Sequence, residues 1–183
     1  MIEISFLTGM ALVFAGWILF RGAVYLKTRR LDRKQEAKQV FFLVNLLVIA
    51  RMTFYPFATV NGRVQPLIFD AATAWPFRVN LIPFVNLLDY ESKSDLLLNI
   101  IGNFAMFIPT GIMTPLIYPR LKSFQKTVLT GAGISLAIEL IQLPFAVRAS
   151  DVDDLILNTL GCITGYGIYA LVRLLAKKKG CKK

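Results

Sequence analysis

Polar side chains that could bind a ligand or act as acids and bases interrupt an apolar part of the sequence. The stretch 139–161 reads ELIQLPFAVRASDVDDLILNTLG, and it places Glu139, Gln142 and Asp154 among apolar residues. A charge inside a bilayer is costly, so intramembrane carboxylates usually face a protein interior or a water-filled cavity. This stretch is therefore the first candidate site.

Further polar groups lie in the middle or outer half of other apolar segments. At 100° per residue, Ser135, Glu139 and Gln142 share one helical face, which predicts an inward-facing polar stripe. Together these positions predict a polar pocket that opens toward the outer side of the membrane. The predicted ligand-binding residues are Arg51, Asn99, Asn103, Glu139, Gln142, Arg148, Asp151, Asp154 and Asn158.

Several of these residues also have purely structural interpretations. Arg51 and Glu139 lie at similar depths in their segments, so an ion pair between them is expected, and it could serve packing alone. Asn99 and Asn103 could be hydrogen-bonding groups that join helices. The spacing of Gly161 and Gly165 favours close helix packing over ligand binding.

Composition identifies the class of protein that holds these groups. The chain has 183 residues, is 56% hydrophobic and has a mean hydropathy of +0.59. Its apolar residues fall into blocks of about 20, the length that spans a bilayer. We therefore expect an all-α integral membrane protein, formed as one membrane domain over 1–183, with spans at about 4–26, 40–60, 95–117, 127–146 and 155–176.

The charge pattern predicts how these helices cross the membrane. The net charge is +10, but Lys and Arg concentrate at the edges of the apolar blocks, in the first connection, the third connection and the C-terminal tail. The positive-inside rule then places the N-terminus outside and the C-terminus in the cytoplasm, and nucleic acid is not an expected partner. The long connection 61–94 is external, and its aromatic residues predict that it lies at the membrane interface.

The motifs, taken in order, resemble those of the VanZ-like family of bacterial membrane proteins. The matching stretches are N80-LIPF-84, N99-IIGNFAMFIPTG-111, E139-LIQ-142 and R148-ASDVDDLILNTLG-161 with Gly165, within a core of about 40–175. The prototype of the family is a teicoplanin-resistance accessory protein. The resemblance implies a multi-pass protein of the bacterial cytoplasmic membrane that contributes to teicoplanin or lipoglycopeptide resistance.

Three functions are compatible with these residues. The favoured one is a binding factor, whose partners are the lipid bilayer and either a lipoglycopeptide or a lipid-linked peptidoglycan precursor. The second is an enzyme that acts on a lipid-linked substrate through Glu139, Asp151 and Asp154. In it Glu139 is a general base, and Asp151, Asp153 and Asp154 could hold a divalent metal. The third is a lipid transporter or flippase. The chain has no His, no activated nucleophile and no phosphate-binding glycine loop, which disfavours an enzyme. No cofactor, resident metal or oligomeric state is predicted.

Overall fold

The computed structural model describes residues 2–30, 32–55, 59–69, 78–85, 92–145 and 150–180. Within these ranges, five helices are long and apolar enough to cross a membrane, as the sequence predicts. They are α1 (Phe6–Thr28), α2 (Arg33–Phe54), α3 (Lys93–Ile117), α4 (Phe124–Gln142) and α5 (Val152–Gly180).

Local signals explain where the helices begin and end. The Ser5 hydroxyl accepts a hydrogen bond from the Thr8 amide at the start of α1, and Asp32 caps α2 in the same way through the Lys34 amide. Because of the Asp32 cap, α2 begins several residues before its apolar segment. It ends two residues before Pro56, where proline disfavours the helical conformation of the residue before it.

The chain folds into two compact units. The first unit comprises 1–81 and 138–151, and the second comprises 82–137 and 152–183. The first unit contains α1, α2, the end of α4 and six short strands. These strands are β1 (Ile2–Ile4), β2 (Thr59–Val60), β3 (Arg63–Val64), β4 (Leu67–Phe69), β5 (Val79–Asn80) and β6 (Ser150–Asp151).

The strands of the first unit form three small two-stranded sheets. β1 pairs with β4 and β2 with β3, both antiparallel, whereas β5 pairs with β6 in parallel. Asn61 and Gly62 join β2 to β3 with positive φ values of 52° and 72°, as a tight hairpin requires. Phe145 bridges to Phe69 and packs edge-on against Phe54, so the chain after α4 is anchored to this unit.

The second unit is organised by close packing of α5 against α3. At Gly161 the carbonyl group of Phe104 leaves no room for a Cβ atom, and at Gly165 the carbonyl group of Ile108 does the same. Gly111 on α3 fits against the backbone of Cys162 in the same manner. The predicted packing role of Gly161 and Gly165 is confirmed, because glycines let two helix backbones approach closely.

Candidate ligand-binding site

Glu139 lies at the centre of a polar group in the first unit. Its side chain is only 4% exposed, and one carboxylate oxygen accepts a hydrogen bond of 3.0 Å from the Asp151 amide. The Asp151 carboxylate in turn accepts bonds from Asn80 Nδ2 at 3.2 and 3.3 Å. The parallel pairing of β5 with β6 sets this geometry, since it places Asn80 opposite Asp151. Motif residues that are far apart in sequence therefore meet here.

Gln142 is the second buried polar residue of this group. It is 5% exposed, and its Nε2 donates a 2.6 Å hydrogen bond to the carbonyl oxygen of Thr53, near the end of α2. The other polar atom of its side-chain amide, Oε1, is buried and has no hydrogen-bond partner in the described parts of the chain. A buried acceptor without a partner costs free energy, so this oxygen is a candidate contact for a ligand donor.

Arg51 does not form the ion pair that its depth predicts. Its Nη1 donates a 2.7 Å hydrogen bond to the Tyr55 carbonyl oxygen, and its guanidinium lies 5.6 Å from the centroid of the Phe6 ring. Both Arg51 and Glu139 are described, and no ion pair joins them. The expected ion pair is wrong because the guanidinium contacts the Tyr55 carbonyl and the face of the Phe6 ring, whereas Glu139 accepts its hydrogen bond from a backbone amide.

Asn99, Asn103 and Asp154 form a second polar group, within the second unit. Asn103 Nδ2 donates to Asn99 Oδ1 at 3.2 Å and also to the Asp154 carboxylate, in a short hydrogen bond between α3 and α5. These side chains are half-buried. Asn103 therefore acts as the interhelical hydrogen-bonding group that the structural interpretation expected, and it holds the Asp154 carboxylate in place. The bond between Asn99 and Asn103 lies within α3.

Asn158 is buried deeper in the second unit. It is 1% exposed and donates a 2.9 Å hydrogen bond through Nδ2 to the hydroxyl of Ser135, which is fully buried. Asn158 Oδ1 has no hydrogen-bond partner among the described residues. The three residues predicted on the inward stripe of α4, which are Ser135, Glu139 and Gln142, are all buried.

Asp153 has a role that the sequence did not suggest. Its carboxylate accepts hydrogen bonds of 2.9 and 3.0 Å from the Phe84 amide, and Phe84 has a positive φ of 66°. A bulky residue seldom adopts this conformation, so the carboxylate stabilises an unusual turn. The signal available in the sequence was the presence of three acids, Asp151, Asp153 and Asp154, within four residues, which is more than the one or two that a helix cap needs.

The candidate residues thus fall into two groups, one in each unit. Glu139, Gln142, Arg51 and Asp151 belong to the first, whereas the second contains Asn99, Asn103, Asp154 and Asn158. Arg148 lies outside the described residues. No three Asp, Glu or Cys side chains of the described ranges come together in a way that could hold a metal ion. The single outward-facing pocket stays a prediction.

Comparison with known proteins identifies the family. The sequence model of the VanZ/LLP1 family matches residues 42–173. A protein of Enterococcus faecium named Protein VanZ is 30% identical over 93 residues, which are 51% of this chain and 53% of the relative. The chain thus spans about half the length of that curated relative. No solved structure matches the chain.

The family match covers both polar groups, all of α3 and α4, and most of α2 and α5. Together with the apolar helices, it makes the chain a multi-pass protein of the bacterial cytoplasmic membrane. The chain belongs to the VanZ/LLP1 family.

Proposed function

We propose that this protein reduces the susceptibility of its host to teicoplanin-type lipoglycopeptides by binding an amphiphile at the polar group of the first unit. The amphiphile is the lipoglycopeptide itself or a lipid-linked precursor of the cell wall. The VanZ-like resemblance supports the resistance function, and the family match over 42–173 supports the resemblance. The polar group supports the binding mode.

The observation that carries the proposal is the buried Oε1 atom of Gln142, which lacks a partner among the described residues. Gln142 is the last residue of α4, so this atom lies near one surface of the membrane. Under the predicted orientation, that surface is the outer one. A sugar hydroxyl or a peptide amide of the ligand supplies the donor that this oxygen needs, and both occur in glycopeptides and wall precursors.

Glu139 and Arg51 are two further candidate ligand contacts in the same unit, and they carry opposite charges. The Glu139 carboxylate binds the Asp151 amide through Oε2 and has further lone pairs that can accept from an ammonium or a hydroxyl. The guanidinium of Arg51 has five N–H donors, and it suits a phosphate or a carboxylate. Wall precursors and glycopeptides both carry groups of these two classes.

The test is the drug susceptibility of cells that express Glu139→Gln, Arg51→Gln or the double variant. We expect each single variant to lose the protection against teicoplanin and the double variant to recover none of it, since the two side chains do not pair. The matched controls are Glu3→Gln and Arg63→Gln, which change the same residue types at exposed positions. Protein levels in the membrane are measured for every variant.

Binding to the purified protein in nanodiscs gives the second readout. Glu139→Gln and Arg51→Gln each remove one charged hydrogen bond to the ligand. Each should therefore weaken the saturable binding of teicoplanin or the precursor about tenfold to a hundredfold. Absence of saturable binding to the unmodified protein would refute the binding mode. Metal-dependent turnover of a lipid-linked substrate that Asp154→Asn abolishes would favour the enzyme, and transport that depends on Arg51 or Glu139 would favour the transporter.

A further inference from the structure

The C-terminal half of α5 lines a surface cavity of about 240 Å³ in the second unit. Its polar residues are spaced by three or four positions, which places them on one face of the helix. Two tyrosines come first along the chain, and two cations follow one to two turns later. The lining residues are Tyr166, Tyr169, Ala170, Arg173, Leu174 and Lys177.

The aromatic part of this cavity is fixed by contacts with the first residue of α4 and with the segment just before it. The Tyr166 ring packs edge-on against Phe124 with centroids 5.5 Å apart, and its hydroxyl donates a 3.3 Å hydrogen bond to the Lys122 carbonyl oxygen. The Tyr169 ring lies 5.8 Å from the Tyr166 ring. Since tyrosine favours the level of the lipid headgroups, these rings mark the depth of the interface on α5.

The cations of this region have few acidic residues to balance them. Arg173 and Lys177 are exposed on α5, and Lys122 and Lys126 are exposed around the start of α4. The segments 96–137 and 155–180 contain no Asp or Glu. This end of the second unit therefore has a positive field that attracts an anion.

We propose that this cavity binds the headgroup of an acidic phospholipid. Arg173 and Lys177 bind the phosphodiester, Tyr169 contributes its hydroxyl, and the apolar surface of Ala170 and Leu174 contacts the glycerol and acyl carbons. The positive-inside rule predicts that the leaflet is the cytoplasmic one. This site uses none of the residues of the proposed function and does not depend on it.

Native mass spectrometry of the full chain with phosphatidylglycerol and phosphatidylcholine tests the proposal. We expect tighter retention of phosphatidylglycerol, which Lys177→Gln weakens about fivefold and Arg173→Gln with Lys177→Gln weakens about twenty-five-fold. The charge-conserving pair Arg173→Lys and Lys177→Arg should retain the lipid. The matched control is Arg30→Gln with Lys34→Gln, which removes the same charges from exposed positions of the first unit and should also retain it.

Four results would overturn the proposal. The first is equal retention of the two lipids by the unmodified protein, and the second is unchanged retention of phosphatidylglycerol in Lys177→Gln. The third is that the control pair weakens phosphatidylglycerol retention as much as the site variants do, which would indicate general surface attraction. The fourth is displacement of phosphatidylglycerol by an equal concentration of glycerol 3-phosphate, because the site would then bind a soluble phosphate. The single variant lies at an exposed position near the end of α5, so it tests the site even if the double variant misfolds.

Discussion

Replacement of Gly165 by alanine tests whether close helix packing determines the stability of the second unit. A Cβ at this position would lie 3.0 Å from the carbonyl carbon of Ile108 and 3.0 Å from the Cα of Gly111, and it would overlap the Ile108 oxygen. All three atoms belong to the backbone of α3, so no side-chain rotation can relieve the overlap. The two helices must move apart.

The size of the effect follows from the geometry and from a control on the same helix. Carbon atoms normally meet at about 3.5–4.0 Å, so the new contacts are too short by about 0.5–1.0 Å. Overpacking of this kind costs about 1–3 kcal/mol. Gly167→Ala is the matched control, because a Cβ there meets nothing within 4 Å. Both variants gain the same helix propensity, so the difference between them isolates the packing cost.

Cys162 provides the assay. Its thiol is fully buried, and it lies on α5 with Sγ 3.6 Å from the Thr127 carbonyl oxygen. The chain has two cysteines, so Cys181→Ser leaves Cys162 as the only thiol. A maleimide then reacts only when the helices open locally, and the reaction rate reports the opening equilibrium. We expect Gly165→Ala to react about 5- to 150-fold faster than Gly167→Ala.

Equal reaction rates for the two variants would refute the reasoning, because they would show that α5 accommodates a Cβ at Gly165 without leaving α3. Gly161→Ala gives an independent check. Its Cβ would overlap the carbonyl oxygen of Phe104 and would lie 3.2 Å from the Phe107 Cβ. It should therefore behave like Gly165→Ala rather than like the control.

Two further predictions concern hydrogen bonds within single units. Asn158→Ala removes the buried bond to Ser135, and it should lower the free energy of unfolding in detergent by about 1–2 kcal/mol; equal stability of Asn158→Ala and the unmodified protein would contradict this. Tyr55→Phe removes the 3.1 Å bond from the Tyr55 hydroxyl to the Ser5 carbonyl oxygen, and it should cost about 0.5–1.5 kcal/mol in the same measurement. Tyr25→Phe, at an exposed position of α1, should leave stability unchanged and is its control.

The sequence predicts the helices well because apolar length is a local property. The five apolar spans can be recognised from neighbouring residues alone. The Asn61-Gly62 dipeptide is also a local hairpin signal, although the overall composition of 61–94 predicts only an interfacial loop. In contrast, the pairing of β5 with β6 joins segments about 70 residues apart, and no local pattern specifies the register of Asn80 with Asp151.

The partner of Glu139 shows why contacts in the site were harder to predict. Position along a helix gives the depth of a side chain, and depth alone suggested Arg51. It gives neither the rotation of one helix relative to another nor the path of the loop that follows α4. The actual partner is the Asp151 amide, which returns to Glu139 because β6 pairs with β5. Sequence therefore indicated the buried polar residue but not the backbone group that hydrogen-bonds to it.

The hydrogen bond from Gln142 to the Thr53 carbonyl has a consequence for the biogenesis of the protein. It joins two residues that are 89 positions apart. At about 5–20 residues per second, the ribosome needs about 4–18 s to reach Gln142 after it has made Thr53. During that time α3 is synthesised, but the Gln142 amide that donates to the Thr53 carbonyl does not yet exist. The first unit is therefore completed late in synthesis, when the return of the chain at 138–151 becomes available.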